Sequence, residues 1–185
     1  MQRRTFLLGV GGTALGASAL VGSGAFSRAE SQRGASIDVA ADQNAYVGLD
    51  RCEGGANHGF ARVDPDSGHL RIDLGRSDDG GFGVNPNSRS WFDGVFQVTN
   101  QGKSDAGVKL ETVGLDVSAG VELDFYLGEN RARSVVSNPF ALPLGERECI
   151  GIHVNTRHYD GGPASEVVSG ELKIVTETDY ADAQP

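Results

Sequence analysis

The feature that most constrains this chain is a period of two in the placement of its apolar side chains. In GVKLETV (107–113) and VELDFYL (121–127), apolar residues alternate with other residues. Side chains of a β-strand point to opposite faces in turn, so this period is typical of a strand with one buried face. The other predicted strands are SIDVAA (36–41), AYVGL (45–49), HLRIDL (69–74), WFDGVFQVTNQG (91–102), ECIGIHVNT (148–156) and VVSGELKIVTET (167–178).

Turn-forming residues separate these runs. Asp, Asn, Gly and Pro dominate the connections, which are DPDSG (64–68), SDDGG (77–81), NPNS (85–88), GEN (128–130), NPF (138–140) and YDGGP (159–163). These residue types favour tight turns, and no stretch beyond the N-terminal segment has a helical period longer than two turns. We therefore predict an all-β fold, a single antiparallel β-sandwich of the Ig-like or jelly-roll type over residues 26–177, followed by an acidic tail at 178–185.

The N-terminus is typical of a signal peptide of the twin-arginine route. Arg3 and Arg4 precede a long stretch rich in Gly, Ala and apolar residues, and small residues follow it. We expect residues 1–25 to be removed, with cleavage after Ala25 or Ala29, and a retained membrane anchor is the alternative. The expected location is secreted or cell-surface, with the translocase and signal peptidase as partners during export and no stable membrane span after processing.

The charge of the chain indicates a saline habitat. The net charge is −9, and removal of residues 1–25 leaves 14 basic and 25 acidic residues, a net charge of −11. The only lysines are Lys103, Lys109 and Lys173. An acidic, lysine-poor surface stays hydrated in brine, where salt at about 1 M shortens the Debye length to about 3 Å. An ordinary acidic protein is the alternative, and the absence of a basic patch excludes nucleic acid as an expected partner.

Two cysteines remain in a chain that is expected to be exported. Cys52 and Cys149 are the only cysteines, and oxidising compartments favour their pairing in a disulfide. Two buried free thiols are the alternative. A metal site at these residues is disfavoured because neither has a CxxC partner.

Candidate ligand-binding residues are few. Asp64, Asp66, Asp78 and Asp79 are weak candidates for a hard cation, but their loops lack the calcium-loop pattern, and turn formation is the alternative. Trp91 could present an aromatic face to a sugar, although core or interface packing is the alternative. The sequence contains no GxSxG, HExxH, GxGxxG after a strand or P-loop. We therefore expect no enzymatic activity and no cofactor.

Several stretches together carry a family resemblance. They are GSGAFSRAES, SIDVAADQNAYVGL, WFDGVFQVTNQG, ALPLGERECIGIHVNT and VSGELKIVTET. This layout resembles haloarchaeal twin-arginine-exported β-domain proteins of unknown function. The strand end FQVTNQG (96–102) is more distantly similar to the F-x-V-x-N-x-G pattern of the TasA and camelysin group of biofilm-fibre proteins.

The distant resemblance has implications for assembly. It implies a jelly-roll domain whose new N-terminus, residues 26–41 with Phe26, Ile37 and Val39, enters the sheet of a neighbouring subunit as a donated strand. The alternative is that SIDVAA is simply the first strand of its own domain. The metallopeptidase activity described for camelysin members is not implied, since the chain lacks a metalloprotease motif.

The leading functional hypothesis follows from the export signal, the charge and the resemblance. We expect a non-enzymatic structural or cell-surface protein of a halophile, a filament or matrix subunit that self-associates by strand donation. An exported binding module for carbohydrate or a divalent cation, using loops 54–68 and 77–92, is the alternative. An exported hydrolase is a weaker third.

Overall fold

The structure is a computed structural model, and it describes residues 42–75, 81–136, 138–162 and 166–177. All described residues belong to one compact unit. The predicted signal peptide, the predicted donated segment and the acidic tail lie outside the described residues. So do the residues predicted for export and strand donation, which are Arg3, Arg4, Phe26, Ile37 and Val39.

Short strands make up most of the described chain. They are β1 (Val47–Arg51), β2 (Ala61–Val63), β3 (Leu70–Ile72), β4 (Arg89–Asn100), β5 (Ala106–Glu111), β6 (Leu115–Val117), β7 (Glu122–Leu127), β8 (Phe140–Leu142), β9 (Arg147–Asn155), β10 (Val168–Gly170) and β11 (Lys173–Glu177). Two one-turn 3-10 helices, Asp42–Asn44 and His58–Phe60, precede β1 and β2.

The strands form antiparallel sheets. A four-stranded sheet has the order β1-β4-β9-β7, and a three-stranded sheet has the order β11-β5-β8. Two-stranded ribbons, β2-β3 and β10-β6, complete the described part. Every strand pair in these sheets is antiparallel. The predicted all-β, antiparallel sandwich fold is therefore confirmed.

The hydrophobic core lies between the two larger sheets. Both sheets contribute side chains that are almost fully buried, which are Phe96, Val98, Phe125, Ile150, Ile152 and Val154 from the first and Val108, Leu110, Phe140 and Leu142 from the second. In β9 the alternation of Ile150, Ile152 and Val154 places all three in the core, as the period of two predicts. Burial of these side chains is the main source of the stability of the fold.

The strand β4 departs from simple alternation. Phe92 lies opposite Ile152 and Phe96 lies opposite Ile150, so β4 carries two more residues than β9 between these pairs. This irregularity is a β-bulge, and Gly94 within it has a φ of 63°, which favours glycine. Beyond the bulge, residues on both faces of β4 are buried, so the pattern is no longer apolar on one face only.

The last predicted strand is two strands. The run 167–178 divides into β10, which pairs with β6, and β11, which pairs with β5. Gly170, with a φ of 110°, ends β10 and turns the chain, and the Glu171 N–H donates to the Gly114 carbonyl. The strands β2, β6 and β8 were not predicted: each has three residues, and unlike β3 and β10 none lies within a longer predicted run.

Candidate functional site

An open groove lies where the edges of the two larger sheets meet. Its volume is ≈ 380 Å³. Tyr46 and Val47, at the start of β1, line one side, and Thr176 and Glu177, at the end of β11, line the other. The remainder is lined by residues at and between the end of β4 and the start of β5, which are Asn100, Gly102, Lys103, Ser104 and Ala106. Both flanking strands are edge strands among the described residues, so the groove joins the open edges of the two sheets.

A buried asparagine shapes the groove. Asn100 is 3% exposed. Its side-chain N–H groups donate to the carbonyls of Ser104 and Leu142, both at 2.9 Å, and its Oδ1 accepts the Gly102 N–H at 3.0 Å. The amide therefore fixes the chain as it leaves the four-stranded sheet and enters β5.

The F-x-V-x-N-x-G pattern has a structural role here. Phe96 and Val98 are fully buried and fasten the strand end to the core. A Cβ at Gly102 would lie 3.1 Å from the Asn100 Oδ1, so a larger residue would crowd this turn. The motif that carries the distant resemblance thus builds one end of the groove.

The outer edge of β1 offers free peptide groups. The Gln101 N–H donates to the Tyr46 carbonyl at 2.8 Å, and the Cys52 N–H donates to the Val95 carbonyl at 3.1 Å. Because bonding direction alternates along a strand, Val47 and Leu49 direct their N–H and C=O groups away from β4. Within the described part of the chain, no backbone hydrogen bond reaches these groups.

Two exposed apolar side chains lie at the same end of the sandwich as the groove. Tyr46 is 75% exposed and Leu144 is 50% exposed. Both residues are near the Asn100 turn, because the Tyr46 carbonyl accepts the Gln101 N–H at 2.8 Å and the Gly145 N–H, next to Leu144, donates to the Asn100 carbonyl at 2.9 Å. Apolar side chains clustered beside an open groove are typical of interaction surfaces.

One lysine lies at the groove and the other two lie in strands β5 and β11. Lys103 lines the groove. Lys109 lies 3.3 Å from Glu111 and 3.8 Å from Glu177, and Lys173 lies 3.0 Å from Glu111. Hydrogen bonds from Lys173 and then Lys109 lower the pKa of Glu111. The outer face of β5 and β11 therefore carries an ion-pair network, although each exposed pair is weak and is screened by salt.

The predicted disulfide is present. Cys52 and Cys149 are bonded, with their Cα atoms 5.5 Å apart and 97 positions apart in sequence. Cys52 directly follows β1 and Cys149 lies in β9, so the bond connects these two strands across β4. The alternative of two free thiols is wrong.

The aspartate candidates do not assemble into a described metal centre. The Asp64 Oδ1 accepts the N–H groups of Asp66 at 2.9 Å and Ser67 at 3.1 Å, which is the geometry of a turn. These bonds, that from Ser67 first, lower the pKa of Asp64. Asp78 and Asp79 lie outside the described residues. Among the residues that are described, no group of three or more His, Cys, Asp or Glu side chains could hold a metal ion.

Trp91 belongs to a packed cluster on the outer face of the four-stranded sheet. Its ring stacks on His153, with centroids 4.8 Å apart and planes 16° apart, and the Arg131 guanidinium lies 5.5 Å from its centroid. Arg131 forms an ion pair with Asp93, whose Oδ1 also accepts the Tyr126 hydroxyl at 2.6 Å. These contacts favour the packing role of Trp91 over that of a free sugar platform.

The cluster has defined protonation states. Hydrogen bonds from Arg131 and then Tyr126 lower the pKa of Asp93, so its carboxylate is ionised near neutral pH. Burial is the main cause that raises the pKa of Tyr126, and the neighbouring Asp93 adds to it. Burial likewise lowers the pKa of His153, whose buried Nε2 has no hydrogen-bond partner among the described residues. This histidine is therefore mainly neutral at pH 7 and serves as an aromatic neighbour of Trp91.

Comparison of the chain with models of known protein families finds no match, and comparison with curated proteins finds none. In the described ranges, no helix has the length and apolar character needed to cross a membrane. The groove residues Tyr46, Val47 and Thr176 were not predicted from the sequence. The strand end FQVTNQG (96–102) was the one sequence signal pointing to this part of the molecule, through Asn100.

Proposed function

We propose that this protein is an exported structural subunit of a halophile surface that assembles into a filament or matrix. Residues 26–41 of one copy would enter the groove between β1 and β11 of the next copy. The observation that carries the proposal is the groove itself, with an edge strand of each sheet beside it. An added strand would pair with the outward peptide groups of Val47 and Leu49, as in other cases of strand addition.

The donor segment has a matching pattern. In SIDVA (36–40), Ile37 and Val39 alternate with polar or small residues. In an extended strand these two side chains point to one face, and we expect that face to meet Val47 and Ala106 in the groove. Asp38 then points to solvent. Burial of apolar side chains in the groove would supply the affinity, and backbone pairing would set the register.

Separate features of the chain support export and a saline habitat. The twin arginines Arg3 and Arg4 support export in the folded state, and the Cys52–Cys149 bond supports an oxidising destination. The net charge of −11 after residue 25 would make copies repel one another in dilute salt. In about 2–3 M salt the Debye length is below about 3 Å, so this repulsion no longer opposes assembly.

Assembly by mature protein tests the proposal. We compare a chain beginning at Phe26 with one beginning at Asp42, which retains β1 and the groove, in about 2–3 M salt. Light scattering after size exclusion and negative-stain microscopy are the readouts. The longer chain should form filaments and the shorter one should remain monomeric. A synthetic peptide of residues 26–41 should bind the shorter chain.

Two matched double variants locate the contact. Ile37→Asp with Val39→Asp places two charges on the face expected to enter the groove and should abolish filaments, since burying unpaired charge is costly. Ser36→Asp with Ala40→Asp adds the same charge to the opposite face and should assemble. Monomers from every chain at high concentration, or equal assembly of the two double variants, would contradict strand donation. A monomer whose own residues 26–41 fill its groove would also contradict it.

A further inference from the structure

We propose that the Cys52–Cys149 disulfide is a redox latch that completes the acceptor groove only after the protein has left the cell. The inference rests on the proposed function, because it concerns regulation of the same groove. In this role the disulfide adds more than general stability, because it keeps β1 in place as the side of the groove that pairs with a donated strand.

The position of the bond supports this role. Cys52 directly follows Arg51, the last residue of β1, and the opposite end of β1 lines the groove through Val47. Cys149 lies in β9, which is separated from β1 by β4. The bond therefore ties a marginal edge strand to an inner strand of the sheet. Among the described residues, β1 has backbone pairing to β4 alone, so its opening requires the loss of one strand pair.

Other contacts allow the fold to form before the bond does. The Glu53 N–H donates to the Gln97 Oε1 at 3.2 Å, and Glu53 forms an ion pair with Arg147 at 2.6 Å. The core between the sheets consists of aliphatic and aromatic side chains that do not depend on the sulfur–sulfur bond. A reduced chain therefore keeps its sandwich, while β1 opens more often because its C-terminal end is no longer tied to β9.

The proposed export route gives this difference a consequence. The cytoplasm keeps thiols reduced, whereas exported proteins meet oxidising conditions. A chain exported in the folded state would cross the membrane as a dithiol, with β1 untied and the groove poorly formed. Oxidation outside the cell would then form the disulfide and tie β1 to β9, so that the groove is fully formed. Copies would be hindered from assembling before export and enabled to assemble after it.

The two cysteine residues differ in exposure, from which we infer the order of the chemistry. Cys149 is partly exposed, whereas Cys52 is 3% exposed. The Cys149 thiolate therefore attacks a low-molecular-weight disulfide first, forms a mixed disulfide and releases one small thiol. The Cys52 thiolate then attacks the Cys149 sulfur and releases the second small thiol. Two protein thiols are oxidised, one external disulfide is reduced, and the two thiol protons end on the two released thiols.

Hydrogen exchange of the full mature chain tests the latch. We compare the oxidised protein, the protein kept in reductant, and the Cys52→Ala/Cys149→Ala double variant. Protection at Gly48 and Asp50, whose N–H groups face β4, should fall on loss of the bond by a factor that can reach the order of a thousandfold, the limit set by a loop of this length. Protection at Ile150 and Ile152 should fall less. If the double variant does not fold, the reduced protein supplies the same comparison, and a reduced protein that is unfolded overturns the latch.

Assembly provides the second readout. The reduced protein should need a concentration at least about tenfold higher than the oxidised protein to form filaments. This is the result expected when about a tenth or fewer of the reduced molecules have β1 in place and the groove formed. Leu123→Ala, in the opposite edge strand β7, serves as a control that lowers global stability without touching the groove or the disulfide. The oxidised Leu123→Ala variant should form filaments at the same concentration as the oxidised wild-type protein.

The outcomes separate the two proposals. Failure of the oxidised protein to assemble would refute the proposed function. Equal assembly of oxidised and reduced protein, with equal exchange at Gly48 and Asp50, would refute the latch alone. Loss of assembly in Leu123→Ala to the same degree as on reduction would also refute the latch, because global stability would then explain both. Faster mixed-disulfide formation at Cys52 than at Cys149, in the single alanine variants, would overturn the proposed order of exchange.

Discussion

Replacement of Asn100 by alanine tests how the groove is held. The side chain makes three hydrogen bonds to backbone groups of the Gly102, Ser104 and Leu142 residues. The variant removes all three while leaving the path of β4 unchanged. We expect a loss of stability that is shared among these three bonds.

The magnitude follows from the surroundings of each partner. Leu142 is fully buried, but its carbonyl also faces the Ala106 N–H in the β5–β8 pair, so it keeps one partner and the lost hydrogen bond costs about 0.5–1.5 kcal/mol. Gly102 and Ser104 are partly buried and exposed, respectively, and water replaces the lost partner there at a cost of about 0.5 kcal/mol each. The sum is about 1.5–2.5 kcal/mol. For a domain of this size, that lowers Tm by about 3–10 °C.

The assay is urea denaturation at constant salt, with the midpoint and slope both measured. Asn138→Ala is the matched control, since Asn138 is exposed and should change stability by at most about 0.5 kcal/mol. Asn100→Asp retains an acceptor for Gly102 but faces the Leu142 carbonyl with a carboxylate, so it should destabilise at least as much as alanine. A loss below about 1 kcal/mol in Asn100→Ala would refute the assignment of the groove support to this amide.

Two further substitutions test the cluster on the outer face of the four-stranded sheet. The hydrogen bond from Arg131, and then that from Tyr126, lower the pKa of Asp93 below its unfolded value of about 3.9. Its contribution is thus present above that value and is lost as pH falls through the lower folded value. In acid titrations followed by circular dichroism, Asp93→Asn should lose less stability than the wild type as pH falls below about 4. An equal loss in both proteins would contradict the contribution assigned to the Asp93 carboxylate. Gly151→Ala should destabilise by about 1–3 kcal/mol in urea, because a Cβ there would meet the Tyr126 ring; wild-type stability would show that the ring can move aside.

Local periodicity carried most of the fold prediction. The alternating apolar residues of β9 and β5 occupy the core, because these strands keep one face toward the opposite sheet along their length. The same reasoning missed the burial of Tyr126, which is 0% exposed although it lies on the other face of β7 from Phe125. Its ring lies against Gly151 of the neighbouring strand, and its hydroxyl reaches Asp93 in the bulge. Such burial depends on neighbours that a period cannot reveal.

The groove could not be predicted by local reasoning. Its two sides, at Tyr46 and Thr176, come from opposite ends of the described chain and meet only because β1 and β11 are edge strands. Edge positions are a property of strand order, which the sequence pattern does not specify. By contrast, the Cys52–Cys149 pair was predictable, because a chain with two cysteines allows a single intramolecular pairing.

The charges around the groove bear on which edge would receive a donated strand. The side chains of β11 include Lys173 and Glu177, and Lys173 shares Glu111 with Lys109 across the neighbouring strand. Charged side chains on an edge strand, lysine above all, hinder pairing with another chain. The groove end of β1 instead presents Tyr46 and Val47, with outward peptide groups that meet no described backbone partner. In concentrated salt the charges on β11 are screened but remain costly to bury, so the proposed strand addition is better accommodated along β1. Because the disulfide directly follows β1, its oxidation or reduction would change how firmly this side of the groove is held.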